Sequence, residues 1–303
     1  MNPTAKTIHA KSILDAIGNT PLLKVGDVYA KLETTNPTGS VKDRMAWYIM
    51  RNAEKRGELR RGATILEVTS GNTGISFSML SAVRGYKFIA VMPESASRER
   101  IKMMDSFGAT AILTPAEEDM AGAFAEYKKL VKEMPNAWLP RQFENPDNIN
   151  AHIDGLGKEI IEQTGGNVDA LIAGVGTGGT LIGTAIALKK ANPDVKIIGV
   201  EPAESAVMSG GKPGTHGIQG IGEGFIPPLV KKNLKLIDEV IKIKTKDAIM
   251  ASKELAKKRG LLVGISSGAN MLAAEIAKKK HRYKNIVTIL PDRGERYFSC
   301  DMK

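Results

Sequence analysis

Lys42 occupies an unusual position, because it falls at the expected start of a helix and on its apolar side. Ser40 followed by Asp43 matches an S-x-x-D capping box, which predicts a helix over residues 41–56. Lys42 precedes Ala46 by four positions and lies on the apolar stripe of Met45, Ala46, Ile49 and Ala53. The helix dipole and burial both disfavour an ammonium, so we expect a lowered pKa and an amine able to form a Schiff base. A lysine that reaches the surface is the alternative.

Three loops rich in Gly, Ser and Thr follow predicted strands, where ligands of parallel sheets commonly bind. Residues 69–74 (TSGNTG) offer backbone N–H groups and hydroxyls at a helix start, which suits a carboxylate or a phosphate. Residues 174–180 (GVGTGGT) hold enough glycines for the backbone to close around a phosphate. A plain capped helix start is the alternative for the first loop and the simpler interpretation of residues 264–268 (GISSG). A phosphate cradle, a carboxylate loop and a nucleophilic lysine together are what a pyridoxal-phosphate (PLP) enzyme requires.

The same glycines leave a dinucleotide-binding oxidoreductase open as a rival. Gly174, Gly176 and Gly179 satisfy G-x-G-x-x-G. Glu201 ends the next predicted strand, where a Rossmann protein keeps its ribose-binding acid. Against this rival, the fingerprint belongs early in its domain, and this copy lies past the middle of the chain. The GTGGT core also favours a compact phosphate monoester over a pyrophosphate.

Composition excludes several other classes. The 303 residues carry a net charge of +10 and one cysteine, Cys300. The lysines form short pairs and triples without interleaved aromatic residues, so we expect no nucleic-acid partner. No long apolar run and no secretory h-region occur, so we expect no membrane span and a cytoplasmic protein. The four histidines lack metal-ligand spacing, and neither G-x-S-x-G nor a Walker pattern is present. We therefore expect no bound metal, no serine-hydrolase chemistry and no ATP-dependent role.

The order of predicted elements indicates an α/β fold with parallel sheets flanked by helices. Strands are expected over residues 28–33, 64–68, 88–92, 110–113, 170–173, 197–200 and 286–290. Besides the helix at 41–56, helices are expected over residues 73–84, 98–107, 120–132, 181–190, 246–259 and 269–280. Residues 135–147, which contain PNAWLP and NPD, are the expected crossover between two domains. The Gly- and Pro-rich residues 209–228 are too long for a plain connection.

Motifs along nearly the whole chain stand in a recognisable order. They are IGNTPL (17–22), NPTGSVKDR (36–44), TSGNTG (69–74), GTGGT (176–180), GVEP (199–202), GISSGA (264–269) and LPD (290–292). With them the chain resembles the cysteine synthase family, the O-acetylserine sulfhydrylase and cystathionine β-synthase group of fold-type II PLP enzymes. The resemblance implies two open, mainly parallel twisted sheets. It also implies a smaller, mobile domain over residues 35–145, and a larger PLP-phosphate-binding domain made of residues 1–34 and 146–303.

The resemblance implies a role for each matching residue. Lys42 would carry PLP as a Schiff base and move the Cα proton, Asn72 would hydrogen-bond the 3′ oxygen of the cofactor, and Ser266 would face its ring nitrogen. The cofactor phosphate would lie against Gly176, Thr177, Gly178, Gly179 and Thr180. The amino-acid substrate would contact Thr69, Ser70, Gly71, Thr73, Gln142 and Gly222.

The implied reaction is a β-replacement that makes L-cysteine from O-acetyl-L-serine and sulfide through an α-aminoacrylate intermediate. In the loop over residues 220–227, Glu223 stands where most relatives have a small residue, and the arginine of O-phosphoserine-preferring members is absent. Its carboxylate should repel a phosphate, which favours O-acetylserine. O-phosphoserine sulfhydrylase and cystathionine β-synthase-type activities are the alternatives. The resemblance further implies a homodimer and, in some members, binding of the C-terminal tail of serine acetyltransferase.

Overall fold

Two separate β-sheets organise the chain in the computed structural model, which describes residues 10–69 and 71–299. The larger sheet contains, in spatial order, β1 (Leu22–Val25), β2 (Val28–Leu32), β9 (Ile286–Leu290), β6 (Ala170–Gly174), β7 (Lys196–Pro202) and β8 (Glu239–Ile243). The pair β1–β2 is antiparallel, and every other pair in this sheet is parallel. The smaller sheet is parallel and contains, in order, β3 (Thr64–Val68), β4 (Lys87–Pro93) and β5 (Thr110–Thr114). The prediction of an α/β fold with mainly parallel sheets is confirmed.

Helices cover both sheets and lead away from the carboxyl ends of their strands. The helices in the first half of the chain are α1 (Lys42–Lys55), α2 (Asn72–Arg84), α3 (Arg98–Ser106) and α4 (Asp119–Glu133). The others are α5 (Asp147–Ala151), α6 (Lys158–Thr164), α7 (Gly179–Ala191), α8 (Pro228–Lys231), α9 (Thr245–Arg259) and α10 (Ile265–His281). Among residues 10–69 and 71–299, no helix has the length and apolar character needed to cross a bilayer.

The central strands of the two sheets are buried by apolar side chains, which explains their nearly continuous hydrophobic runs. All five residues of β9 are buried, as expected for a central parallel strand covered on both faces. In the smaller sheet, Ile65 and Phe88 belong to a buried cluster with Phe77 of α2, whose ring stacks on Phe88 at 5.8 Å between centroids. These packed layers fix the positions of the loops at the strand ends.

Several elements differ from the sequence prediction. Strands β1 and β8, and helices α5 and α6 with the π-helical turn His152–Gly157 between them, were not predicted. Helix α10 starts at Ile265, four residues before the predicted start, so the GISSG stretch lies largely inside the helix. A Cβ on Gly268 would stand 2.1 Å from the carbonyl oxygen of Ala248. This glycine therefore serves the close packing of α10 on α9, not a turn.

The predicted capping box at Ser40 is wrong. Val41 is the N-cap residue of α1, and the Ser40 hydroxyl accepts only the Lys42 N–H, at 3.4 Å, so no capping box forms. The Asp43 carboxylate accepts hydrogen bonds from the Thr38 N–H at 2.7 Å and the Ser76 hydroxyl at 2.6 Å. Ser40 instead forms an isolated antiparallel bridge with Asp292. Tertiary partners from α2 and the C-terminal segment thus replace the local cap, and they hold the first turn of α1 beside the candidate site.

Candidate active site

One pocket collects loops from both sheets. Its wall is formed at the carboxyl ends of β3, β6 and β9, and at the first turns of α1, α2 and α10. Of the residues predicted for the site, the wall contains Lys42, Thr69, Gly71, Asn72, Thr73, Gln142, Gly176, Thr177, Gly178, Thr180 and Ser266. Gly179 and Gly222 do not line the pocket, and Ser70 lies outside the described residues. Residues far apart in the sequence therefore meet around one cavity.

Lys42 presents its amine to this pocket from the first turn of α1 and is partly buried. Burial lowers the pKa of the Lys42 amine, while the carboxylates of Glu223 and Asp292 oppose this effect. Desolvation dominates, so a larger fraction of the amine is neutral at a given pH than in an exposed lysine. A neutral amine is the form that attacks an aldehyde. The expected direction of the pKa shift is confirmed.

Residues 69–74, which we call the clamp loop, use side chains to build one wall. The Thr73 hydroxyl donates to the Gln142 Oε1 atom at 2.7 Å, and the Gln142 Nε2 group donates to the Val68 carbonyl at 3.2 Å. Within the loop, the Gly71 N–H donates to the Thr69 hydroxyl at 3.2 Å. These hydroxyl, amide and N–H groups stand at the start of α2, where the helix dipole favours an anion. The arrangement suits the carboxylate of an amino acid.

Residues 174–180, which we call the glycine loop, build another wall mainly from backbone. Gly178 has a φ of +90°, and a Cβ there would stand 2.2 Å from Val230. A Cβ on Gly179 would stand 1.9 Å from the Oδ1 atom of Asn148, so Gly179 admits Asn148 to the loop. The loop ends at the start of α7, and Thr177 and Thr180 line the pocket. Backbone, hydroxyls and a helix N-terminus together suit a phosphate monoester.

Ser266 completes the pocket from the first turn of α10, where it is 3% exposed. Asn270 lies one helical turn further and also lines the pocket. The Asn270 Nδ2 group donates to the Ile289 carbonyl at 2.9 Å, whereas its buried Oδ1 atom has no protein partner among the described residues. A buried acceptor without a partner is costly, which fits a pocket that holds a polar group when occupied.

The C-terminal segment contributes residues to which the sequence assigned no role. The Asn72 Nδ2 group donates to Asp292 Oδ2 at 2.6 Å, and the Tyr297 hydroxyl donates to the same oxygen at 2.7 Å. Arg296 donates to Asn72 Oδ1 at 2.5 Å and to the Thr38 carbonyl. Asn72 is thus oriented by a segment 220 residues away in the sequence. The LPD motif marked the place, but local pattern carries no signal for these contacts.

Two further charged residues lie in the wall, Glu223 and Arg100. The guanidinium of Arg100 stands 4.8 Å from the ring centroid of Tyr297, and its Nη1 group donates to Gln219. Glu223 acts on the Lys42 amine, as described above. The sequence identified Glu223 as a departure from the family pattern, whereas Arg100 was missed because α3 shows only an ordinary charged helix face.

Glu201, the acidic residue that the oxidoreductase alternative requires, already forms hydrogen bonds within the protein. Glu201 is 2% exposed, and its carboxylate accepts the N–H groups of Met208 at 2.8 Å and Ser209 at 3.1 Å. Glu201 therefore orders the loop that follows β7. A ribose hydroxyl would have to displace both backbone donors to reach it. The geometry argues against a dinucleotide at this place.

Comparisons with known proteins agree with this geometry. Residues 13–292 match the family described as "Pyridoxal-phosphate dependent enzyme". The chain is 45% identical over 300 residues to a probable cysteine synthase of Bacillus subtilis, which covers 95% of this chain and 96% of that protein. A cysteine synthase of Staphylococcus aureus is also 45% identical, over 301 residues and 96% of both chains.

Solved structures give the same result. The cysteine synthase of Entamoeba histolytica has a TM-score of 0.93 at 42% identity, covering 100% of this chain and 93% of that one. An O-acetylserine dependent cystathionine β-synthase of Helicobacter pylori has a TM-score of 0.92 at 41% identity, covering 97% and 99%. The fold and site define a fold-type II PLP enzyme. The chain belongs to the pyridoxal-phosphate dependent enzyme family, as its motifs predicted.

Proposed function

We propose that this protein is a PLP-dependent cysteine synthase, an O-acetylserine sulfhydrylase that makes L-cysteine and acetate from O-acetyl-L-serine and sulfide. One observation carries the proposal: the Lys42 amine shares a pocket with the Thr73–Gln142 pair and the glycine loop. That pocket offers a site for an aldehyde, a carboxylate and a phosphate at once. Relatives named as cysteine synthases over nearly the full chain support the reaction class.

The residues of the pocket fit the cofactor. When bound, PLP supplies an electron sink that makes the Cα proton of an attached amino acid acidic. Lys42 would hold the cofactor aldehyde, Asn72 and Ser266 would contact its ring, and the glycine loop would hold its phosphate. The crowded glycine loop and the partnerless Asn270 Oδ1 atom are the features of this pocket that a bound polar group explains.

The chain's own residues then perform three tasks. Thr69, Thr73 and Gln142 would orient the substrate carboxylate beside Lys42. The Lys42 amine, made less basic by burial, would take the α-proton and later return it. Movement of the proposed smaller domain, residues 35–145, against residues 1–34 and 146–303 would exclude water during the reaction.

Glu223 favours an acetylated substrate over a phosphorylated one. It lies in the pocket wall close enough to influence the Lys42 pKa, and a second anion there would be repelled. The same carboxylate is compatible with the ammonium of an amino-acid thiol. A cystathionine β-synthase-type use of homocysteine is therefore the second candidate, and its test is the choice of thiol in the assay below.

The visible spectrum and a substrate panel test the proposal. Protein reconstituted with PLP should absorb as a bound Schiff base and convert O-acetyl-L-serine with sulfide. Lys42→Ala should lose the Schiff-base absorbance and at least about 1,000-fold of the activity. Lys55→Ala, at the exposed end of the same helix, should keep both. The panel pairs O-acetylserine, O-phosphoserine and serine with sulfide or homocysteine. Faster turnover of O-phosphoserine than of O-acetylserine would contradict the role of Glu223.

Assembly and location follow from the same proposal. We infer a cytoplasmic homodimer, as in the family, whose site also accepts the C-terminal tail of serine acetyltransferase. Sedimentation of the purified chain at micromolar concentration measures the first, and a monomer would contradict it. Loss of activity on addition of a synthetic acetyltransferase tail peptide measures the second, and unchanged activity would contradict it.

A further inference from the structure

Glu67 is a buried carboxylate directly behind the candidate carboxylate site. It is the fourth residue of β3, two positions before Thr69, and only 2% of it is exposed. We propose that Glu67 is a positioning residue for the substrate carboxylate, acting through the main chain of Gln142. The inference rests on the proposed function, in which Gln142 binds the amino acid.

The contacts of Glu67 lead to two residues of the pocket wall, Gln142 and Val68. Its Oε2 atom accepts the Gln142 N–H at 3.2 Å, and its Oε1 atom accepts the Val68 N–H at 3.0 Å. Among residues 10–69 and 71–299, no lysine or arginine forms an ion pair with it. Backbone N–H groups, and no ion pair, therefore hold this carboxylate.

The backbone around Gln142 is shaped to reach this carboxylate. Arg141, the preceding residue, has a φ of +52°, a left-handed conformation that is uncommon outside glycine. This turn carries the N–H of Gln142 inward, although Arg141 itself is exposed. Left-handed backbone at a non-glycine residue costs energy and persists where the surroundings demand it. On one side of the turn, the Glu67 carboxylate stabilises this conformation by accepting the N–H groups of Gln142 and Val68.

Gln142 passes this constraint on to both functional loops. Its side chain pairs with Thr73 of the clamp loop at 2.7 Å. Its carbonyl accepts from Asn148 Nδ2 at 2.8 Å, and the same Nδ2 group donates to the Thr177 hydroxyl of the glycine loop at 2.9 Å. A shift of the Gln142 main chain would therefore move the hydroxyl of Thr73 and loosen the contact to Thr177.

The role of Glu67 depends on its charge. Burial raises the pKa of Glu67 to about 7, and the N–H groups of Gln142 and Val68 oppose the rise. Arg141 acts in the same opposing direction, and Tyr127 of α4 faces the carboxylate with its own pKa raised by burial and by Glu67. Glu144 lies near enough to Tyr127 to raise that pKa further. Protonation turns one acceptor oxygen into a hydroxyl, which cannot accept from an N–H group in the same way.

Substrate affinity should therefore weaken as the pH falls through about 7. Glu67→Gln keeps the size of the side chain, but its NH₂ group faces one of the two backbone donors. We expect this variant to raise the KM for O-acetyl-L-serine about 5- to 10-fold, the equivalent of one hydrogen bond. Its kcat should change less than about twofold, because Lys42 is untouched.

The experiment measures KM and kcat of PLP-loaded protein between pH 6 and 8.5 for the wild type, Glu67→Gln, Glu67→Asp and Glu54→Gln. From pH 8 to pH 6, the wild-type KM should rise about fivefold more than the KM of Glu67→Gln, because only the wild type has a carboxylate at this position to protonate. Glu67→Asp keeps the charge and should retain the pH dependence. Glu54 is the matched control, because its carboxylate bonds Arg84 and Tyr86 away from the pocket. Glu54→Gln should behave as the wild type.

Two further readouts separate this inference from the proposed function. L-alanine has the amino-acid carboxylate but no leaving group, so its binding, followed by the cofactor absorbance, reports on the clamp even if no cysteine is made. Amide hydrogen exchange should be faster over residues 138–148 in Glu67→Gln than in Glu54→Gln. Wild-type KM and L-alanine affinity with the same pH dependence between 6 and 8 as in Glu67→Gln would overturn the proposal. So would a Glu67→Gln protein with the KM, pH profile and exchange of the wild type.

Discussion

The clamp loop and the glycine loop face the same pocket, but they are built in opposite ways. In the clamp loop, Asn72 and Thr73 hold their neighbours through side-chain hydrogen bonds. In the glycine loop, the backbone itself is packed against Val230 and Asn148, with no room for a Cβ on Gly178 or Gly179. Side-chain bonds can be exchanged for bonds to a ligand, whereas packed backbone cannot yield. The clamp loop therefore suits a substrate that enters and leaves at each turnover, and the glycine loop suits a resident phosphate.

The largest effect should come from adding a methyl group to the glycine loop. Gly178→Ala combines a φ of +90° with a Cβ 2.2 Å from Val230, a side chain that is fully buried. We expect a loss of about 2–5 kcal/mol in the free energy of unfolding, from backbone strain and overpacking together. PLP affinity should fall at least about 100-fold, because the loop must move away from the phosphate. Thermal unfolding with and without PLP, and titration of the cofactor, measure both effects.

Gly85→Ala is the control for that substitution. Gly85 ends α2 with a φ of +76°, but no atom lies within 4 Å of its missing Cβ. Its replacement isolates the cost of a left-handed alanine, about 1 kcal/mol, without the collision. If both variants lost the same stability and both kept PLP, the tight packing of the glycine loop would have no functional meaning.

A smaller and more selective effect is expected in the clamp loop. Thr73→Val removes the hydroxyl that donates to Gln142 at 2.7 Å and keeps the shape of the side chain. The KM for O-acetyl-L-serine should rise about tenfold with a much smaller change in kcat, because an orienting contact to the ground state is lost. PLP affinity should stay within about twofold of the wild type. Steady-state kinetics and cofactor titration on the same preparations test the split.

Thr184→Val is the matched substitution for Thr73→Val. Thr184 is fully buried in α7, and its hydroxyl has no hydrogen-bond partner among the described residues. Valine there should leave KM unchanged and keep or slightly raise the stability, since no bond is lost. If Thr73→Val left the KM as unchanged as Thr184→Val does, Thr73 would not be a residue that orients the substrate.

The contrast between the loops also explains what the sequence could predict. A position with no room for a Cβ requires glycine, and the glycine is seen in the sequence itself. GTGGT therefore indicated the glycine loop, although its packing against Val230 and Asn148 was not known. Apolar runs marked the buried central strands for the same reason, since β9 is apolar in every position but Thr288. Steric exclusion and burial from water thus often determine the residue type at a single position, which the sequence shows directly.

Partners from distant parts of the chain left no such signal. Ser40 and Asp43 match a local capping rule, yet the Asp43 carboxylate accepts from Thr38 and Ser76, and the main chain of Ser40 pairs with Asp292. The orientation of Asn72 by the C-terminal segment, and of Gln142 by Glu67, was equally out of reach. Hydrogen bonds between side chains depend on the packing of whole elements, which spacing along the sequence does not reveal. The position of the clamp loop could be predicted, but the distant residues that hold its side chains in place could not.

The smallest effect is expected for a residue of the C-terminal segment that holds the clamp loop in place. Tyr297→Phe removes the hydroxyl that donates to Asp292 at 2.7 Å, while Asp292 keeps its bond from Asn72 at 2.6 Å. The loss should be about 1 kcal/mol of unfolding free energy, the usual worth of one hydrogen bond, with KM and kcat within about threefold of the wild type. Chemical denaturation and steady-state kinetics measure these values. A loss of activity as large as that of Thr73→Val, without a loss of stability, would mean that Tyr297 acts on the substrate and not through Asp292. The clamp loop would then extend to the C-terminal segment.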